Sequence, residues 1–302
     1  MESWPGLEKF KRHIHLPKNG LDLFLYENGT GLQRTVILLH GLGDEADTWR
    51  HLIQPLSQYC RVIVPDLPGS GRTTWLRGQG GRNPRQLYQM DLFRETLLEL
   101  LEELSVPQAV WVGHSFGALL AHFMTLEYPE KAQGVVLVDG GLLTGRPRLN
   151  LTILLYMVPG IGERMYNRLR KNPQAAFSTL APYYSNLNAF SEVERNYLLK
   201  RVNQRVWSNE QRDAFLWTMR NLVRFGLKEQ RKLPERLARQ QVPALVVWGE
   251  KDQITPVENA QFLAKSMPDA RLVLISGAGH NVQQDRPQDL LEAILKDERF
   301  GF

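Results

Sequence analysis

The chain is short of cysteine: Cys60 is the only one among 302 residues. A single thiol excludes an intramolecular disulfide framework, and its place beside the apolar run Val62–Val64 reads as a core filler in a reducing compartment. Long apolar runs are lacking too. The longest apolar-rich segment, Leu151–Val158, falls far below the roughly 20 residues a membrane-spanning helix needs. Met1–His13 contains no apolar stretch of signal-peptide length, so the expectation is a soluble, cytoplasmic protein. Cys/His clusters at zinc-ligand spacing and basic segments interleaved with aromatics are missing as well, which argues against structural zinc and against nucleic acid as a partner. No metal and no organic cofactor is implied.

What is there suits one large globular body, or a core carrying an insert: 43% of residues are hydrophobic and 23% charged. The net charge of +5 is unevenly spread. Residues 142–240 hold 18 Lys and Arg against 7 Asp and Glu, a local +11 that leaves −6 for the rest. A basic face of this kind can draw anionic groups or an acidic membrane surface, but scattered arginines on amphipathic helices are more commonly a solvated face.

Along the chain, His13–Leu16 and Leu21–Tyr26 flank Lys18-Asn19-Gly20, a hairpin signal. Thr35–Leu39 is a continuous apolar run, as expected of a strand buried on both faces, and a helix is expected over Glu45–Tyr59. Arg61–Pro65 reads as the next strand, followed by the Gly- and Arg-rich loop Arg72–Arg82. Asn83, Pro84 and Gln86 announce a helix reaching about Leu104. Ala109–Val112 and Gly134–Val138 are two further buried strands.

From Leu142 to Gln241 no strand-like run occurs, while Ser191 with Glu194 and Ser208 with Gln211 are helix-start signals. The alternation then resumes with strand Ala244–Trp248, a helix start at Thr255-Pro256 and Glu258, strand Leu272–Ile275 and helix Pro287–Lys296. The expected fold class is α/β: a mostly parallel, doubly wound sheet formed by residues 1–141 and 242–302, with residues 142–241 a helical cap inserted after the sixth strand.

In such a sheet ligands bind beyond the carboxyl ends of the strands. Standing there are His40-Gly41-Leu42-Gly43, Asp66, Ser115, Asp139, Asp252 and His280. Ser115 lies in Gly113-His114-Ser115-Phe116-Gly117, between a strand and a helix, the setting in which a G-x-S-x-G serine is pushed out of a sharp turn. Gly113 and Gly117 leave space for the close packing of strand and helix. A serine nucleophile needs a base, and the base needs an orienting acid. His280, in a loop after the last strand, is the expected general base and acid. Asp252, after the preceding strand, is the expected orienting acid, with Asp139 its rival. The amides of Leu42 and Phe116 are the expected oxyanion donors, Gly41 and Gly43 letting the Leu42 loop approach. His40 reads as a brace for its turn, and Asp66 as a cap for local amides.

These motifs, together with Asp66-Leu67-Pro68-Gly69-Ser70-Gly71, Gly249–Asp252 and Gly279-His280, resemble those of the α/β-hydrolase superfamily and specifically its smaller capped members. The resemblance covers about residues 12–141 and 242–302. It implies a serine hydrolase acting on a small or medium carboxylic ester, with C–C bond hydrolysis of a vinylogous diketone and a small-molecule receptor as alternatives. Ser115 departs from the aspartate of dehalogenases and epoxide hydrolases. His40-Gly41-Leu42-Gly43-Asp44 departs from the His-Gly-Gly-Pro-Gly of prolyl aminopeptidase-like members, and Asn281 from the Trp that usually follows the histidine of meta-cleavage C–C hydrolases. In the insert, Tyr156, Tyr166, Phe177, Tyr183, Tyr184, Phe190, Tyr197, Trp207, Phe215 and Trp217 supply cap core and part of an apolar acyl pocket, while Arg164, Arg168 and Arg170 are candidates for an anionic group. A contact with a membrane surface and the oligomeric state stay open.

Overall fold

The computed structural model describes residues 1–77, 83–142, 151–229 and 231–302, so the end of the Arg72–Arg82 loop and the first residues of the insert lie outside the described residues. The frame is one nine-stranded sheet: β1 (Lys11–Leu16), β2 (Leu21–Asn28), β3 (Thr35–Leu39), β4 (Arg61–Pro65), β5 (Thr74–Trp75), β6 (Ala109–His114), β7 (Ala132–Val138), β8 (Ala244–Gly249) and β9 (Ala270–Ile275). Its order is β1-β2-β4-β3-β6-β7-β8-β9, with β5 paired to β2. β1 and β2 form the expected antiparallel hairpin, β2 also pairs antiparallel with β4 and β5, and the run β4-β3-β6-β7-β8-β9 is parallel throughout.

Alternation of side chains across the sheet explains why its central strands, β3, β4 and β6–β8, are almost entirely buried and largely apolar. Ile37 and Leu39 of β3 and Trp111 of β6 pack into one cluster, while Val36, Leu38, Val110 and Val112 pack into the cluster on the opposite face. A strand covered on both faces has no position left for a polar residue.

Several elements differ from expectation. Seven strands, not six, precede the insert, because the two-residue β5 was too short to carry a pattern. The helix expected over Glu45–Tyr59 is a 3-10 turn, Ala46–Trp49, followed by a single α turn, Ile53–Leu56. Pro55 forbids a continuous helix there, since its ring collides with the preceding turn and it lacks an amide proton. The helix expected from Asn83 to Leu104 is split into Pro84–Leu87 and Met90–Glu103. Asn83 does cap the first piece, accepting from Arg85 N at 3.0 Å. The break at Tyr88 lets that ring bury and leaves the Tyr88 carbonyl to accept from Asn221 Nδ2 at 2.7 Å.

Between β7 and β8 the described residues form helices, the longest being Glu192–Trp207 and Asn209–Glu229. Ser191 and Glu194 make the full capping box. Ser208 caps only one way, because the Gln211 side chain reaches to Gly71 O at 3.2 Å instead of turning back. These helices are fastened to the sheet by charge. Glu45, buried after β3, accepts from Arg201 Nε at 2.9 Å and from Arg205 Nη2 at 3.1 Å. Burial works against the Glu45 charge, but Arg201 and Arg205 outweigh it and hold the carboxyl below its ordinary range. Beside this pair Asp47 accepts from Tyr197 Oη at 2.7 Å and is paired with Arg72. Part of the positive charge of these helices is therefore turned inward. Arg164 and Arg168 are exposed, and Arg170 is spent on Val206 O and Asn209.

At Gly117 an added methyl would lie 2.2 Å from Leu39 O, whereas at Gly226 on the Asn209–Glu229 helix it would meet nothing within 4 Å. Gly117→Ala is therefore expected to lower the unfolding free energy by about 3 kcal/mol in a denaturant titration. Gly226→Ala should raise it by about 0.5–1 kcal/mol through helix propensity.

Candidate active site

The carboxyl ends of β3, β4 and β6–β9 converge on Ser115. The chain reverses from β6 into the Phe116–Glu127 helix at that single residue, with φ +52° and ψ −112°. A non-glycine residue in this region costs on the order of 1–3 kcal/mol and persists only where its surroundings dictate it. Here they do. A methyl at Gly113 would sit 2.1 Å from Gly117 O, and one at Gly140 would sit 2.4 Å from Ser115 O. The Ser115 amide is tied to Val138 O at 2.9 Å.

His280 and Asp252 meet this serine. His280 Nε2 is 3.0 Å from Ser115 Oγ, and His280 Nδ1 is 2.8 Å from Asp252 Oδ2. With a carboxylate on Nδ1, that nitrogen carries the proton and Nε2 is free to accept from the serine hydroxyl. Burial works against the charge of Asp252. The hydrogen bond and charge of His280, with the hydroxyl and amide of Thr255, outweigh it and hold the carboxyl below its ordinary value. Asp139, the rival acid, does not touch the imidazole: its Oδ1 accepts from Gly249 N at 2.8 Å.

Three participants escaped the sequence reading. Thr255, expected to start a helix, instead donates its hydroxyl to Asp252 Oδ2 at 2.6 Å, and its amide donates to Asp252 Oδ1 at 2.9 Å. The following helix begins only at Glu258. His114 donates from Nε2 to the His280 carbonyl at 2.8 Å and so anchors the loop that carries His280. The insert grips the same loop, Asn281 N donating to Tyr183 O at 2.9 Å. No local pattern marks such contacts, because each partner lies far away in the chain.

The glycine loop after β3 runs alongside. A methyl at Gly41 would lie 3.0 Å from His114 Nδ1 and 3.4 Å from Ser115 Cβ. His40 braces the loop as expected, its Nδ1 donating to Gly41 O at 2.8 Å and its Nε2 accepting from Leu67 N at 2.9 Å. Asp66 accepts from the amides of Ala46 and Arg72, both at 2.7 Å, and pairs with the Arg72 guanidinium. The amides of Leu42 and Phe116 donate to no group among the described residues. Beside them is a cavity lined by Leu42, Leu67, Phe93, Phe116, Ala214 and Phe215. Arg205 also reaches it, but its guanidinium is engaged by Glu45 and Asp44. Gly43 packs under the Phe215 ring, at φ +70° and with 2.9 Å left for an added methyl.

Asp139, Asp252 and His280 hold ligand-type atoms within 4.8 Å of one another. Both His280 nitrogens already have partners within the chain. No helix among the described residues is long and apolar enough to cross a membrane.

Comparison with known proteins agrees with this layout. The model of the alpha/beta hydrolase fold family matches residues 34–287, so the chain belongs to that family. It is 26% identical over 297 residues to a 2-hydroxy-6-oxononadienedioate/2-hydroxy-6-oxononatrienedioate hydrolase of Burkholderia vietnamiensis, covering 94% of each chain. Among solved structures it is similar to a putative lipase of Acinetobacter baumannii, at TM-score 0.74 and 21% identity over 94% of this chain and 89% of that one. It is also similar to the 2-hydroxy-6-oxo-6-phenylhexa-2,4-dienoate hydrolase of a Rhodococcus strain, at TM-score 0.75 and 20% identity over 96% and 98%.

Of the four buried histidines in and around the site, His114 and His122 are pushed down to about 3 from 6.5, chiefly by burial. Unfolding lets them take up protons at any pH between those values, so stability is whole above about 6.5 and falls as pH drops toward 3. Melting temperature measured from pH 8 to pH 4 should follow this course, and His122→Leu should make the decline shallower.

Proposed function

We propose that the protein is a serine hydrolase that cleaves a small or medium carboxylic ester through an acyl-enzyme. The observation that carries this reading is the unbroken relay from Ser115 Oγ through His280 to Asp252. Ser115 Oγ bonds to the ester carbonyl carbon as its proton passes to His280 Nε2, and the carbonyl oxygen takes the negative charge. The amides of Leu42 and Phe116 meet that oxyanion, aided by the positive end of the Phe116–Glu127 helix. Collapse of the intermediate breaks the bond to the alkoxy oxygen, which leaves as the alcohol with the proton from His280. A water molecule, deprotonated by the same imidazole, then releases the acid and restores Ser115. Asp252 keeps the imidazole in its Nδ1–H form and stabilises the imidazolium. In this reading residues 142–241 are a cap that closes the acyl pocket from above.

A second reading, C–C bond hydrolysis of a vinylogous diketone, is favoured by the likeness to the dienedioate hydrolase of Burkholderia vietnamiensis. What favours the ester is the charge at the cavity: Phe93, Phe116 and Phe215 offer apolar contact beside the polar His40, Gln211 and Thr218, and Arg205, the cation that reaches it, is engaged by Glu45 and Asp44 and so is not free for a dianion.

Covalent labelling by a fluorophosphonate should occur on the wild type and vanish in Ser115→Ala. Turnover of p-nitrophenyl esters should fall by about four orders of magnitude or more in the same variant. Cleavage of a 2-hydroxy-6-oxo-dienoate with no turnover of any simple ester would overturn the ester reading in favour of the second. Phe215→Ala enlarges the acyl pocket, and its kcat/KM for the longer esters of the series should rise about tenfold relative to the shortest.

A further inference from the structure

Asp139 ends β7 at φ +48°, a conformation that non-glycine residues seldom take, and it is completely buried. Its amide donates to Val247 O at 3.0 Å, and its carbonyl lies 3.1 Å from Thr255 Oγ1, whose proton goes to Asp252. On the side chain, Oδ1 has the Gly249 amide, whereas Oδ2 is buried without a hydrogen-bond partner among the described residues. What faces Asp139 is another carboxyl, that of Asp252, with His280 behind it, all within 4.8 Å.

The two carboxyls are unequally provided for. Asp252 receives Ile254 N at 2.7 Å and Thr255 N at 2.9 Å on Oδ1, and Thr255 Oγ1 at 2.6 Å and His280 Nδ1 at 2.8 Å on Oδ2. Asp139 receives the Gly249 amide at 2.8 Å and a weaker influence from the Val282 amide, with no hydroxyl or imidazole donor. Two buried carboxyls this close do not both ionise, and the charge stays where the donors are. A proton on Asp139 turns its orphan oxygen into a donor, and the acceptor in reach is Asp252.

We propose that Asp139 is a positioning residue of the catalytic apparatus, held as a neutral carboxylic acid that donates its Oδ2 proton to Asp252. The acid of the site is then a pair of carboxyls carrying one negative charge, spread away from the imidazole. The inference rests on the serine hydrolase reading. Burial pushes the Asp139 carboxyl well above its ordinary range, and the neighbouring Asp252 pushes it further. The titratable groups around the pair are His280, His114 against the His280 ring, and His122 beyond Gly141; burial keeps the last two neutral.

The test is the pH dependence of fluorophosphonate labelling of the full chain, which reads the titration of His280 without knowledge of the natural substrate. Asp139→Asn keeps an acceptor for Gly249 N and a donor toward Asp252; Asp139→Leu removes both. Without the donor Asp252 becomes more basic and strengthens the imidazolium. In Asp139→Leu the labelling pKa should therefore rise by about half a unit or more and the rate fall about tenfold, while Asp139→Asn moves less in both. A fall of the labelling pKa in both variants means that Asp139 was charged, and an unmoved pKa in both means a purely structural role; either overturns the proposal. If Asp139→Leu does not fold, the infrared difference between wild type and Asp139→Asn at pH 7 decides: a protonated carboxyl band present only in the wild type supports the proposal, and its absence overturns it. Failure of the wild type to label at any pH would indict the serine hydrolase reading itself.

Discussion

A strand that turns into a helix within one residue leaves no slack around that residue, and the site is built on this constraint. Ser115 holds a backbone conformation that would relax if its neighbours gave way. They cannot, because the glycines at 113, 117 and 140 bring backbone against backbone where a single methyl would collide. The serine oxygen is thereby aimed outward while the first amides of the next helix point at whatever binds beside it. Asp252 and His280 arrive in the loops after β8 and β9, which pair with each other and are separated from β6 by β7.

A second constraint holds the roof. Glu45 sits just after the glycine loop and is paired with Arg201 and Arg205 of the Glu192–Trp207 helix, while Asp47 joins Tyr197 to Arg72. Buried ion pairs of this kind add little net stability, but separating them leaves charge stranded in an apolar setting. They fix where the Glu192–Trp207 helix lies relative to the Leu42 loop, and with it the position of Phe215 over Gly43. The Phe215 wall of the cavity and the Leu42 loop are in this way parts of one packed unit.

How far the molecule could be read from its sequence follows from the range of the interactions. Strands such as β3 and β4 were legible to the residue, because burial on both faces writes an uninterrupted apolar run. That Ser115, His280 and Asp252 meet was legible because each stands shortly after a strand. Helix limits were not. Pro55 and the buried Tyr88 break helices whose periodic pattern runs on, and Thr255 serves Asp252 instead of a helix start. The least legible features were long-range polar contacts, among them His114 with the His280 carbonyl and Glu45 with the cap arginines. A charged residue looks the same in sequence whether solvent or a buried partner awaits it. The +11 insert invited a surface reading, yet some of its arginines point inward.

The central claim is that Ser115 is the nucleophile and that the amides of Leu42 and Phe116 receive the oxyanion. A crystal structure of the protein after reaction with an alkyl phosphonate tests this most directly, since the adduct imitates the tetrahedral intermediate. The account predicts phosphorus bonded to Ser115 Oγ, with one phosphonyl oxygen about 3 Å from both amide nitrogens and the alkyl group in the cavity beneath Phe215. Phosphorus on another residue, or a Ser115 adduct whose oxygen turns away from both amides, would contradict it.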